Sequence, residues 1–156
     1  MTQTLAREQI VHQPRAEVFA FYANAANLER LTPASLRFEI CGPLPPTLVA
    51  GTIIDYRLSL LGVPFAWRTL IEEFQSPTRF VDVQLKGPYR SWRHVHEFSD
   101  VMGGTATLVR DHVEYQLPFG RLGALLGRRF VERQLKEIFD FRRDTLTRIF
   151  PRSSRI

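Results

Sequence analysis

The 156-residue chain contains little cysteine and no long hydrophobic run. A single cysteine, Cys41, excludes an internal disulfide and a zinc site built from cysteines. It fits a reducing compartment, so we expect a cytoplasmic location. No apolar run approaches the roughly 20 residues that span a bilayer. Residues 1–8 lack a charged start followed by an apolar stretch, so we expect no signal peptide.

The sequence also lacks the motifs of several enzyme classes. Gly103-Gly104 is too short for a phosphate-binding loop, and it follows no strand of the nucleotide-binding type. Cys41 precedes a proline-rich loop and has no evident neighbouring base. No serine stands in the glycine setting of a hydrolase nucleophile. We therefore expect no cofactor.

Charge is unevenly distributed along the chain. The net charge is +5, and residues 121–156 hold ten Lys and Arg against four Asp and Glu. This pattern fits a solvated helix face followed by a basic tail. It also fits attraction to an anionic lipid surface or to nucleic acid. We expect no nucleic-acid binding, because the basic residues are not interleaved with aromatic side chains that could stack on bases.

Hydrophobic periodicity predicts an α+β protein. A strand over Leu5–His12 precedes helical spacing over residues 15–31, which predicts two short helices. Period-two patterns and turn residues, including a tight turn at Leu61–Pro64, then predict six strands. Helical spacing returns over Leu122–Phe150, with an apolar stripe that begins at Leu122, Leu125 and Leu126. Strands joined by short turns form an antiparallel meander. The long amphipathic helix must cover the concave face of this sheet, which leaves an internal space at its ends.

Two histidines lie one residue apart in a predicted strand. Alternation places Trp92, His94, His96 and Phe98 on one face. The two large aromatics should face the core, so the imidazoles face it too. Buried imidazoles need hydrogen-bond partners or a ligand.

Strand register suggests which partners these histidines have. A turn near Val101–Gly104 predicts that His94 lies opposite Asp111 and that His96 lies opposite Val109. The preceding turn places His94 beside Asp82 or Gln84. The sequence therefore predicts a row of Asp82, His94 and Asp111 across three strands, with Gln84 and Tyr115 nearby.

Several roles are open to this row. It could be a self-satisfied polar row with a few waters. It could also bind a carbonyl, quinone or phenol oxygen, or act as a general acid and base. His-x-His is a common metal spacing, and Asp82 or Asp111 could add a ligand, but the motif is unspecific and we predict no metal site.

The order of elements and several segments resemble the START/Bet v 1-like (SRPBCC) helix-grip superfamily, including its polyketide cyclase/dehydrase and coenzyme Q-binding groups. The segments are residues 11–19, residues 77–98, Gly104-Thr105, residues 111–115 and the final helix. The resemblance implies a curved seven-stranded sheet wrapped around the C-terminal helix, with a hydrophobic cavity. We accordingly expect one ligand-binding domain over residues 1–151 and a basic tail over 152–156. It implies no single reaction.

The inner faces of the strands and the long helix supply the predicted ligand-binding residues. These are Tyr56, Leu58, Trp67, Phe80, Asp82, Gln84, Trp92, His94, His96, Asp111, Val113, Tyr115, Leu135, Ile138, Phe139 and Arg142.

The leading hypothesis is a carrier or sensor that binds a hydrophobic small molecule, such as a lipid, an isoprenoid quinone or a polyketide-like compound. The alternative is a cyclase or dehydratase that uses His94 or His96 with Asp82 or Asp111. Contact with an anionic membrane would be peripheral, because the apolar face of the helix is already buried. The sequence leaves the oligomeric state open.

Overall fold

The chain forms one strand, two short helices, six strands and a long helix, in the order that its sequence predicts. This computed structural model describes residues 1–152, apart from the side chains of Arg121, Leu122, Ala124 and Leu126. The elements are β1 (Gln3–Val11), α1 (Arg15–Tyr22), α2 (Asn27–Arg30), a 3-10 turn (Ala34–Leu36), β2 (Glu39–Cys41), β3 (Ile53–Leu60), β4 (Val63–Gln75), β5 (Arg79–Lys86), β6 (Ser91–Val101), a second 3-10 turn (Met102–Gly104), β7 (Ala106–Gln116) and α3 (Gly120–Ile149).

All seven strands belong to one antiparallel sheet in the order β1-β7-β6-β5-β4-β3-β2. The strands follow one another as a meander, and β1 closes the far edge by pairing with β7. A register shift between Ile71 and Glu73 marks a bulge in β4. Bulges bend a strand and increase its twist. The bulge also turns Ile71 and Phe74 to the same side, where both join the core.

Helices α1 and α3 pack on the concave face of this curved sheet. Phe19 of α1 contacts the rings of Phe80 and Phe98 edge-on, and Leu146 of α3 belongs to the same core cluster. Further along α3, Leu135 and Phe139 form a second cluster with side chains of β7. The predicted fold class is confirmed, with α3 held along the sheet.

Three local details differ from the sequence expectation. The strand β4 begins at Val63, because Leu61 and Gly62 alone form the turn, both with positive φ. That pattern is typical of a two-residue hairpin, and the glycine makes the conformation accessible. Helix α3 begins at Gly120, two residues earlier than expected. Leu125, assigned to the buried stripe from its spacing, is 80% exposed.

Some expectations fall outside the described residues. The side chains of Leu122 and Leu126 in the predicted apolar stripe are among them, as are residues 153–156 of the predicted basic tail. Arg152, the first residue of that tail, is exposed. Within residues 1–152, no helix has the length and apolar character that a membrane span requires.

Candidate functional site

A cavity of about 180 Å³ lies between the sheet and the helices. Strands β3 to β6 form one wall, and α3 contributes Leu135, Ile138 and Phe139 to another. The lining also includes Phe130, which is 40% exposed and so marks where the cavity approaches the surface. An apolar cavity of roughly 150 Å³ accommodates a benzene ring. The space therefore suits a small organic molecule.

Most of the sequence-predicted site residues lie around this cavity. Those that line it are Tyr56, Leu58, Trp67, Phe80, Asp82, Trp92, His94, His96, Leu135, Ile138, Phe139 and Arg142. Gln84, Asp111, Val113 and Tyr115 are not among its lining residues. Val113 and Tyr115 are fully buried beneath it in the cluster with Leu135.

Gln84 supports the cavity from outside. Its Nε2 donates a hydrogen bond to the Tyr89 carbonyl oxygen at 2.8 Å, and the Tyr89 N–H donates to Gln84 Oε1 at 3.3 Å. Tyr89 itself lines the cavity from the loop between β5 and β6. Gln84 therefore holds the loop that carries a lining side chain.

One wall of the cavity was missing from the sequence prediction. Its lining includes Phe21, Tyr22, Ala25, Leu28 and Leu31 from the segment of α1 and α2. Their three- and four-residue spacing predicts a buried helical stripe but does not show what the stripe covers. In the folded chain this stripe faces the strands that line the cavity and forms another of its walls.

The register between β6 and β7 corrects the predicted histidine pairing. His96 lies opposite Asp111, and His94 lies opposite Val113. The prediction was wrong by two residues, because Met102, Gly103 and Gly104 all take positive φ and Val101 pairs with Ala106. A two-residue shift keeps every side chain on its own face. On the other side, His94 lies opposite Asp82, as one of the predicted registers requires.

The two histidines and two aspartates form a crossed network. His94 Nε2 donates to Asp111 Oδ1 at 2.7 Å, and His96 Nε2 donates to Asp82 Oδ2 at 2.7 Å. His96 Nδ1 lies 3.1 Å from Asp111 Oδ1. The two imidazole rings are 3.7 Å apart at their centroids, and Phe80 stacks on His96. Packing on both sides fixes the rings in place.

Burial and hydrogen bonding oppose each other in this network. Burial raises the pKa of Asp111, but the hydrogen bond from His94 and the proximity of His96 outweigh it and hold this pKa well below its usual range. The pKa of Asp82 is lowered in the same way. Burial lowers the pKa of both histidines. Burial prevails in His94. In His96 the hydrogen bond to Asp82 and the negative charges of Asp82 and Asp111 outweigh burial, so its pKa is raised.

Arg142 brings a positive charge to the cavity wall. It is 9% exposed, and its Nη1 lies 3.8 Å from Asp111 Oδ1. Its guanidinium carbon lies 5.0 Å from the centre of the Phe139 ring. The Nε and Nη1 atoms are buried without a hydrogen-bond partner among the described residues. The Tyr22 hydroxyl and Trp67 Nε1, also on lining residues, share that condition.

No protein-family model matches the chain, and no curated protein matches its sequence. Solved structures do match it. The Zhui aromatase/cyclase from a Streptomyces species is similar over 99% of this chain and 97% of its own, with a TM-score of 0.75 and 11% identity. The chain has the helix-grip fold. The resemblance to START/Bet v 1-like proteins is therefore confirmed for the fold.

Two further helix-grip structures agree. The TTHA0849 protein from Thermus thermophilus has a TM-score of 0.71 and 15% identity, covering 94% of this chain and 99% of its own. A point mutant of norcoclaurine synthase from Thalictrum flavum, in complex with a transition-state analogue, has a TM-score of 0.70 and 13% identity. That match covers 96% of this chain and 94% of the synthase chain. Identities this low establish the fold alone.

The helix-grip cavity of this chain thus combines two chemical surfaces. Aromatic and aliphatic side chains form most of it, including Trp67, which stacks on Tyr56 and meets Trp92 edge-on. The other surface is polar and comprises Asp82, His94, His96 and Arg142. The nitrogen and oxygen ligand atoms of Asp82, His94 and His96 lie within 4.8 Å of one another, which is compatible with a metal ion. Such a site can bind an apolar body while fixing one polar group.

Proposed function

We propose that this chain binds a small, mostly apolar molecule carrying an oxygen acceptor, and that it acts as a carrier or sensor of that molecule. The supporting observation is an internal cavity with aromatic walls and buried, unpartnered donors on its lining residues. Lipids, isoprenoid quinones and polyketide-like compounds have this combination of an apolar body and an oxygen.

Apolar burial alone would give weak binding. A ligand that buries about 200 Å² of apolar surface gains about 5 kcal/mol at roughly 25 cal/mol per Å². Association itself costs at least about 4 kcal/mol in lost freedom. A polar contact must therefore supply most of the net affinity and all of the orientation.

The unpartnered atoms define the chemistry of that contact. Arg142 Nε and Nη1 and Trp67 Nε1 are donors and cannot accept a hydrogen bond. The Tyr22 hydroxyl can also donate. A buried donor without a partner costs roughly 1–3 kcal/mol, which a ligand oxygen would recover. A ketone, quinone or carboxylate oxygen fits this set better than an amine does.

A matched pair of aromatic compounds tests the proposal. β-Acetonaphthone carries a carbonyl oxygen, and β-ethylnaphthalene has similar size without one. Both tryptophans of the chain line the cavity, so tryptophan fluorescence reports binding. We expect saturable binding of the ketone at one per chain, with an affinity at least about tenfold above that of the hydrocarbon.

Two substitutions with the same chemistry locate the binding. Leu58→Trp adds bulk to a residue that lines the cavity, whereas Leu85→Trp changes a leucine that is 53% exposed on β5. Calorimetry with β-acetonaphthone should show binding lost in the first variant and unchanged in the second. Equal binding by both variants, or no saturable binding by the original chain, would contradict the proposal.

A second candidate function is acid–base catalysis of the cyclase or dehydratase kind. It is favoured by the His94–Asp111 and His96–Asp82 hydrogen bonds at the cavity wall. A carboxylate that accepts from one imidazole nitrogen orients the ring so that the other can exchange a proton with substrate. One of His94 and His96 would remove the α-proton of a β-hydroxy ketone, and the C–O bond would break as the C=C bond forms. The other histidine, in its protonated form, would give the departing hydroxide the proton that makes it water.

The enzyme hypothesis has its own assay. The β-hydroxy ketone formed from benzaldehyde and acetone loses water to give benzylideneacetone, which absorbs in the ultraviolet. An enzyme of this type should accelerate that loss, and His94→Gln should abolish the acceleration while binding of β-acetonaphthone persists. Binding without acceleration would leave the carrier or sensor role as the better explanation.

A further inference from the structure

We propose that Asp82, His94 and His96 form a binding site for a divalent first-row transition-metal ion at the wall of the cavity. The three residues line the cavity of the proposed ligand, but the inference does not depend on that ligand. Two imidazoles and one carboxylate are a ligand set that zinc and similar ions take in proteins.

The distances between ligand atoms suit such an ion. Asp82 Oδ2 lies 2.7 Å from His96 Nε2 and 3.7 Å from His94 Nδ1. Metal–ligand bonds of roughly 2.0–2.1 Å separate neighbouring ligand atoms by roughly 3.0–3.4 Å. The two observed separations fall on either side of this range. Small side-chain rotations would therefore bring the three ligand atoms around one ion.

Asp111 lies behind both imidazoles and holds His94 by a hydrogen bond, while His96 Nδ1 lies close to it without one. Its Oδ1 lies 2.7 Å from His94 Nε2 and 3.1 Å from His96 Nδ1, which are the nitrogens turned away from Asp82. His94 Nε2 donates to Asp111, so His94 Nδ1 is left to face Asp82 with its lone pair. Metal-binding histidines usually donate their other N–H to a carboxylate or carbonyl in this way. In His96 the metal would displace the proton that Nε2 donates to Asp82, and Nδ1 could then carry the proton beside Asp111.

The charges of the cluster also favour a cation. Asp82 and Asp111 are 18% and 8% exposed in their side chains, and Arg142 is the guanidinium beside them. Two carboxylates therefore lie beside the proposed site, and a bound ion would take the place of the proton between His96 Nε2 and Asp82 Oδ2. Asp82, His94 and His96 line the cavity, so water or a ligand oxygen could complete the coordination.

Titration of metal-free protein with Co²⁺ tests this inference without any organic ligand. Co²⁺ bound to nitrogen and oxygen ligands absorbs visible light, and calorimetry with Zn²⁺ gives the stoichiometry. We expect one ion per chain. Asp82→Asn and His94→Gln should each weaken binding at least about tenfold, and Asp111→Asn should weaken it roughly 10- to 100-fold.

The control is His112→Gln, because His112 is an exposed histidine of β7 that lies 3.5 Å from Glu114. It should bind Co²⁺ as the original chain does. Absence of stoichiometric binding, or binding that Asp82→Asn and His94→Gln leave unchanged, would overturn the inference. So would loss of binding in His112→Gln.

A second measurement needs no variant. Co²⁺ is paramagnetic and broadens nuclear magnetic resonance signals close to it. Broadening centred on residues 82, 94 and 96 of the original chain supports the site even if the variants fail to fold. Broadening centred elsewhere contradicts it.

Discussion

Arg142→Met separates a ligand-facing role of this arginine from a structural one. Met keeps an unbranched chain of similar length but removes the charge and every donor. If the guanidinium mainly serves a bound oxygen, its loss should affect ligand affinity strongly and stability weakly. If it mainly neutralises Asp111, the order should be reversed.

Two contributions of Arg142 to the stability of the ligand-free chain oppose each other: its attraction to Asp111 and the burial of its unpartnered nitrogens. At 3.8 Å from Asp111, the guanidinium gains about 4 kcal/mol at an effective dielectric constant of about 20, before its burial is counted. Two buried nitrogens without partners cost about 2–6 kcal/mol in total. Asp111 keeps its hydrogen bond from His94. We therefore expect Arg142→Met to change the free energy of unfolding by less than about 2 kcal/mol.

Urea unfolding, followed by tryptophan fluorescence and circular dichroism, measures this change. Arg133→Met is the matched control, since Arg133 is 81% exposed in its side chain and pairs with Glu137 at the surface. Such surface pairs contribute about 0–1 kcal/mol. In the same samples, Arg142→Met should lose most of the preference for β-acetonaphthone over β-ethylnaphthalene.

A destabilisation of about 3–5 kcal/mol in Arg142→Met would refute this reasoning. That is the cost expected when a buried carboxylate loses its essential partner. An unchanged preference for the ketone would refute the assignment of the polar contact to Arg142.

Three other predictions follow from packing and charge. Phe98→Ala should lose roughly 3–5 kcal/mol, because Phe98 is 2% exposed among aromatic rings, and Phe119→Ala, at a residue 86% exposed, should lose almost nothing in the same thermal melts. Burial raises the pKa values of Tyr22, Tyr56 and Tyr89. The folded chain thus keeps protons that the unfolded chain releases, so stability should fall as the pH rises above about 10. Tyrosinate absorbance that develops at that pH in the folded chain would contradict this. Finally, any binding to anionic vesicles should vanish at high salt, and binding that ignores salt would exclude electrostatic docking of the basic helix.

Pairing on α3 bears on that last experiment. Arg128, Arg133 and Lys136 each form an ion pair with an acidic residue four positions later. Such pairs reduce the positive potential of the helix face. They therefore favour the interpretation of this face as an ordinary solvent-exposed surface over that of a membrane-binding one. The vesicle measurement decides between this interpretation and membrane contact.

The sequence alone determined the faces on which the key side chains lie. Alternation along β6 places His94 and His96 on the same side as Phe98, and all three are buried. This property depends only on local backbone geometry and on which face carries the apolar residues. The order of the elements also follows from period and turn residues, and the resemblance that this order carries implied the helix-grip fold.

Only the tertiary structure decided which groups meet. Registers two residues apart bury the same side chains, so hydrophobic patterning could not choose between Val113 and Asp111 as the neighbour of His94. The conformation of the turn at Met102–Gly104 made that choice. Tyr22 reached the cavity because α1 packs across the sheet, and this contact joins residues far apart in the chain. The pattern within a short stretch of sequence determines which face a side chain lies on and whether it is buried. Hydrogen-bond partners and cavities depend on contacts between residues that are far apart in the chain.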